Sequence, residues 1–186
     1  MKRVFIVGIM LLFSCAGIFA QNLTVDGRVS FRNEVWDNSD APTTISIGLT
    51  VGYYIIEDLN IGLNVSYSKP ENGFDLVLGP EFRYNFLKFE KAYFSLFGGL
   101  YYSSSFGAYF FNNNYRENDA NMVSVALRPA IFFTISKNIE VYWRFAEFYY
   151  SYFWVTLKGT NQDHKANTFR LSGPFGNPSF GLVFRF

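Results

Sequence analysis

Apolar and polar residues alternate with a period of two along most of this 186-residue chain, and no other feature constrains its fold as tightly. Successive side chains of a strand point to opposite faces, so the alternation predicts strands with one apolar and one polar face. Residues 24–35 place Val25, Val29, Phe31 and Val35 in one phase and Asp26, Arg28, Ser30, Arg32 and Glu34 in the other. Residues 44–55 set Ile45, Ile47, Leu49, Val51, Tyr53 and Ile55 against Thr44, Ser46, Gly48, Thr50 and Gly52. Segments 59–68, 74–86, 92–103, 122–135 and 139–153 continue the pattern, and a last one over 168–186 makes eight. Two irregularities are expected. The phase slips near Glu147, and Phe169 and Leu171 are out of phase with Phe180 and Leu182, which requires a bulge or break across 173–178. Pro80 and Pro129 fall inside strands on the apolar phase, and each marks an expected local bulge.

The charges obey the same phase. Asp26, Arg28, Arg32, Glu34, Asp75, Glu81, Arg83, Arg128, Glu140, Arg144 and Arg185 all lie on the polar side of their segments. A cation facing lipid at mid-bilayer costs about 2–4 kcal/mol, so a membrane barrel keeps that phase inside. The strand cations are all Arg, whereas Lys69, Lys88, Lys91, Lys137, Lys158 and Lys165 fall in expected connections. A planar guanidinium pairs with carboxylates in a confined space better than an ammonium does. The first ten of those strand charges are therefore expected to form a lumenal network of Arg–carboxylate pairs, beside Phe97, Tyr101, Phe132 and Tyr142.

Aromatic residues, 21% of the chain, cluster at strand ends as the two girdles of a spanning barrel would. Tyr53, Tyr84, Phe86, Phe94, Phe133 and Phe186 mark one end, and Phe31, Trp36, Tyr67, Phe74, Tyr102 and Tyr149 the other. No stretch beyond the first twenty residues approaches the ~20 apolar residues of a spanning helix. Without such helices a membrane protein must be a closed barrel, because its backbone has to be satisfied internally. The expected fold is all-β: an eight-stranded antiparallel up-and-down transmembrane β-barrel. Short turns are predicted at Glu57-Asp58, 88–91 and 136–138, and longer connections at 36–43, 69–73, 104–121 and 154–167. A soluble lipocalin-like barrel would also have eight strands, with the apolar face turned inward.

The two ends favour the membrane. Lys2 and Arg3 precede an apolar run from Val4 to Phe13, and small and apolar residues lead to Ala20 before Gln21 and Asn22. This reads as a secretory signal over 1–20, cleaved between Ala20 and Gln21, with the barrel domain over 21–186. The competing reading, a lipoprotein box ending at Cys15, has a bulky Phe13 in it and no polar tether after it. Cleavage at Ala20 leaves no cysteine and shifts the balance to 14 cations against 15 anions, a net charge of −1. Such a chain offers no electrostatic case for nucleic acid.

The C-terminal residues Ser179-Phe180-Gly181-Leu182-Val183-Phe184-Arg185-Phe186 resemble the β-signal by which outer-membrane proteins are recognised for insertion, with Ser179, Gly181, Phe184 and Phe186 in its slots. The hairpin Gly52–Leu63 and the segment Gly79-Pro80-Glu81-Phe82-Arg83-Tyr84 are similar to those of small outer-membrane β-barrels of the OmpA/OmpX-like kind, in their single-domain Bacteroidota form. The resemblance covers 21–186. It implies a monomer in outer-membrane lipid with both termini periplasmic, and barrel-assembly machinery and periplasmic chaperones as partners during biogenesis. Function is poorly set by such a fold.

Little chemistry suggests itself. His164 is the only histidine, in the last long connection, without the His-x-Ser element of lipid A deacylases, so no enzyme activity, catalytic residue, cofactor or metal is expected. Eight strands leave an interior that side chains can fill. The leading expectation is a non-enzymatic protein whose extracellular loops, above all the aromatic, Asn-rich Phe106–Ala120, serve envelope integrity or contact an outside ligand or surface. The alternative is a narrow conduit for a small or apolar solute. The small residues Ser46, Gly48, Thr50, Gly52, Gly62 and Ser66 face the bulky half and either accommodate it or leave a pocket.

Overall fold

A computed structural model describes residues 22–32, 44–69, 73–111, 114–157, 163–173 and 178–186. Side chains are described for these except at 32, 73, 106–111, 114–119, 156–157 and 163–164. The expected signal segment with Ala20 and Gln21, and also Glu34 and Trp36, lie outside the described residues.

Ten strands appear in order: β1 Leu23–Arg32, β2 Thr44–Ile56, β3 Leu59–Lys69, β4 Gly73–Lys88, β5 Ala92–Phe111, β6 Asn114–Ser136, β7 Ile139–Arg144, β8 Glu147–Leu157, β9 Asp163–Ser172 and β10 Ser179–Arg185. Sequence neighbours from β1 to β6 pair antiparallel, and β10 closes the ring on β1. One edge of β6 holds β5 along its whole length; the other holds β7 on the side of the short turns and β8 on the side of the long loops. β7 with β8, and β9 with β10, thus each fill one position. The result is a closed, eight-stranded, all-antiparallel transmembrane barrel.

Both expected irregularities are present. Arg144 pairs with Ala130 and Phe148 with Leu127, so four residues oppose three, and the inward phase changes from Glu140, Tyr142 and Arg144 to Glu147, Tyr149 and Ser151. β9 ends at Ser172 and β10 begins at Ser179, with Phe169 and Leu171 facing outward before the break and Phe180 and Leu182 after it. Tyr149 is therefore not a girdle residue. The slip turns it inward, and its hydroxyl lies 2.9 Å from the Met122 sulfur.

The prolines depart from expectation. Leu78 pairs with Tyr102 and Glu81 with Gly99, three residues on in each strand, so the pairing lapses at Gly79 and Pro80 without a bulge. Pro129 stays in register with Leu96, and the bulge sits across from it, in the neighbouring strand, where the Phe145 N–H donates to the Pro129 carbonyl at 3.2 Å. Amide and carbonyl of one residue point to the same side in an antiparallel strand, so the donor Pro129 lacks falls where the ladder is already broken. The other register shifts, at Tyr54/Ile56, Asn85/Leu87 and Thr134/Ser136, accompany the three short turns.

Two long connections are shorter than the alternation implied. β5 and β6 pair out to Phe111 and Asn114, converting 104–121 into a tall hairpin, and β8 and β9 reduce 154–167 to 158–162. Lys165 and His164 accordingly sit in β9 rather than in a loop. Outward positions of β2 carry Ile45, Ile47, Leu49, Val51, Tyr53 and Ile55, each more than a third exposed, and the other long strands repeat this belt. The packed core is inside the barrel.

Candidate functional site

The inward phase builds two different interiors. On the turn side the lumen is solid. Tyr93 stacks on Phe132 at 4.8 Å between ring centroids, Phe132 meets Tyr142 at 4.8 Å and Phe97 at 5.8 Å, and Phe97 meets Tyr142 at 5.4 Å. Centroid spacings of about 4.5–7 Å are those of favourable aromatic pairs. Two guanidiniums cap the stack: Arg83 lies 4.8 Å from the Phe132 centroid and Arg144 3.7 Å from that of Phe97. Tyr142 can lie over β10 and reach β1 because Gly181 has no side chain, a Cβ there falling 2.2 Å from the tyrosine ring. Its hydroxyl reaches both carboxylate oxygens of Asp26, at 2.8 and 3.0 Å.

Above the stack Glu81 gathers cations from three strands. Its carboxylate lies 3.0 Å from Arg144 Nη2, 3.7 Å from Arg28 Nη1 and 3.8 Å from Arg128 Nη1, and it accepts the Tyr101 hydroxyl at 2.6 Å. With a side-chain exposure of 2% it has no water to fall back on, so the cluster holds only as a set. Arg128 also binds Glu147 at 2.7 Å, and Arg185 forks onto Glu140 at 2.8 and 3.0 Å.

The expected network is thus partly regrouped. Glu81, Arg28, Arg128 and Arg144 come together, while Glu140 joins Arg185 of the C-terminal segment. Asp26 is held by Tyr142. Arg83 donates to the Tyr54 hydroxyl and lies against aromatic faces, and among the described residues it makes no ion pair. Asp75 lies toward the loops and accepts from Ser68 at 3.1 Å. Arg32 closes β1, with its side chain outside those described. Of the C-terminal set, Phe184 and Phe186 face outward, Ser179 is buried inward, and Gly181 makes room for Tyr142. Tyr54, Tyr93 and Glu147 have structural parts that alternation alone did not single out.

On the loop side of Glu81 the lumen opens into a cavity of about 400 Å³. Its walls carry Ser30, Ser46, Ser66, Ser68, Ser103, Ser105, Ser124 and Ser179, with Tyr149 and Met122, and Arg28, Arg128, Arg144 and Tyr101 reach its floor. Small residues on β2, β3, β5 and β6 leave this space. Gly48 is part of the same economy, since a Cβ there would come 2.9 Å from Arg28 Nη2 and 2.8 Å from Ser66 Oγ. Among the described residues no three His, Cys, Asp or Glu side chains stand together as metal ligands.

No protein-family model matches the sequence. No curated protein is similar to it in sequence. Solved structures share the fold. Neisserial surface protein A (NspA) superposes with a TM-score of 0.55 at 12% identity, over 88% of this chain and 97% of its own. A major outer membrane protein from Thermus thermophilus gives 0.53 at 9% identity, over 89% and 98%. The chain has the architecture of the small transmembrane β-barrels.

Proposed function

We propose that this is a non-enzymatic outer-membrane barrel whose lumen is closed to ions and whose work is done on the loop side, by contact with a partner outside the cell. The observation that carries this reading is the plug: stacked rings and the Glu81 cluster occupy the turn-side half of an interior that is narrow to begin with. The tall β5–β6 hairpin supplies the contact surface. Its aromatic and Asn-rich sequence, Phe106-Gly107-Ala108-Tyr109-Phe110-Phe111-Asn112-Asn113-Asn114, suits adhesion. In this reading residues 1–20 are removed on export, the short turns and both ends of the barrel lie in the periplasm, and assembly machinery reads Ser179, Gly181, Phe184 and Phe186.

Planar-bilayer recording tests the plug: the wild type gives no resolvable channel events, whereas steady conductance would make the barrel a narrow conduit instead. Replacing residues 106–118 with a short turn abolishes surface association and leaves heat-modifiable migration on gels unchanged. Orientation is checked with single cysteines in a background lacking Cys15. Thr160→Cys is labelled by an impermeant maleimide on intact cells and Lys137→Cys is not.

A further inference from the structure

The loop-side cavity is a feature the plugged-barrel reading does not use. A filled eight-stranded interior needs no such space, and its volume of about 400 Å³ lies within the roughly 300–1,000 Å³ of small-molecule sites. Its chemistry is uneven along its depth. Hydroxyls dominate the walls, and the floor is cationic at its surface. Arg28 and Arg128 keep side-chain exposures of 11% and 19%, while the Glu81 carboxylate beneath them keeps 2%. Arg128 commits its Nε to Glu147 and its Nη1 to Tyr101. Among the described residues its Nη2 donates to no side chain, and the side chain as a whole is 19% exposed. Arg28, Arg128 and Arg144 face Glu81 and Glu147 at this level, and Asp26 lies within electrostatic reach of Arg28 and Arg144, so the open donor of Arg128 rather than a net charge is what the floor offers a ligand. Asp75 lies six residues along β4 from Glu81, roughly 20 Å at a strand's rise, so it bears on the entrance rather than the floor.

We propose that this cavity is a blind binding pocket for a small, hydroxyl-rich solute with a single carboxylate, the chemistry of a sugar acid. The carboxylate sits on the Arg128 guanidinium, where charge-assisted hydrogen bonds are strongest. The hydroxyls of the solute meet Ser46, Ser103 and Ser124 on three walls. A phosphate monoester matches less well, because its charge of about −1.5 to −2 is more than one open guanidinium donor can answer. A neutral sugar brings the open Arg128 donor no charged acceptor.

Calorimetric titration of the full-length protein refolded in zwitterionic micelles tests this, with glucuronate, glucose, acetate and inorganic phosphate as probes. Glucuronate binds at one saturable site, and the other three bind at least about tenfold more weakly, the scale of one charge-assisted hydrogen bond. Arg128→Gln weakens glucuronate by about tenfold or more. Ser124→Leu fills the cavity and abolishes binding while heat-modifiable migration persists; Ser46→Leu does the same from the opposite wall, should the first variant not fold. Absence of saturable heat with glucuronate overturns the proposal. So does equal affinity for glucose or for phosphate, or binding that survives a folded cavity-filling variant. Replacing residues 106–118 leaves glucuronate affinity unchanged, so loss of surface association and loss of this pocket are separate results.

Discussion

Strands β1 to β6 run through both halves of the lumen, and along them the halves differ in the size of the inward side chain. Along β5 the inward positions read Tyr93, Ser95, Phe97, Gly99, Tyr101, Ser103 and Ser105, and along β6 from the same end Phe132, Ala130, Arg128, Ala126, Ser124 and Met122. Rings and guanidiniums come first and serines after, so the barrel is plugged on the turn side and hollow on the loop side. Backbone pairing is continuous through both halves of β5 and β6. Closure of a barrel and filling of a barrel are therefore separate matters, the first decided by the ladder and the second by side-chain volume. This makes the plug a local device that substitutions can remove without opening the ring.

The sharpest way to break the contrast is at Glu81. Glu81→Ala leaves Arg144 buried, and Arg28 half-buried, without their carboxylate, while Arg128 retains Glu147. A destabilisation of about 3–5 kcal/mol is expected, because an uncompensated buried charge remains. Urea unfolding of the micelle-refolded protein measures it. A loss below about 1 kcal/mol, the scale of an exposed ion pair, would mean that the plug is held by its rings and that Glu81 adds nothing.

Gly181 gives the next largest effect and separates two roles. A methyl group there meets the Tyr142 ring, whose hydroxyl anchors Asp26, so Gly181→Ala is expected to cost about 1–3 kcal/mol by overpacking. The cost appears in purified protein refolded without any assembly machinery. If stability is unchanged there while insertion in cells slows, the glycine serves recognition of the C-terminal segment and not the plug.

The sequence made the strands and their phase legible because lipid leaves no latitude: each outward residue of a spanning strand must be apolar and each Arg must turn in. The slip at Glu147 and the break at 173–178 were visible for the same reason. Pairing inside was less legible, since which Arg meets which carboxylate depends on the stagger of strands distant in sequence. Arg185 and Glu140 are 45 residues apart, and Tyr142 and Asp26 are 116. The tall hairpin was hidden too. Its residues do not alternate apolar with polar, so the period-two signal that reveals a strand is missing there. The small residues facing the bulky half were noticed early, but a run of serines states only that side chains are short. Whether the opposite wall fills the space is a fact of three dimensions.

The finest test holds residue type and strand constant. Ser95 and Ser103 both point inward from β5, on opposite sides of the floor. Ser95 is fully buried and its hydroxyl donates to Asn85 Oδ1 at 2.7 Å. Ser103 lines the cavity, and among the described residues its hydroxyl meets no other side chain. Removing the first leaves a buried acceptor without its partner, and Ser95→Ala is expected to cost about 1 kcal/mol or more. Removing the second exchanges a hydroxyl on the cavity wall for a methyl, and Ser103→Ala is expected to stay within about 0.5 kcal/mol of wild type. Paired urea titrations resolve the difference. Equal losses would mean that the cavity wall is as tightly determined as the plug, and that the hollow half contributes to stability through its hydroxyls after all.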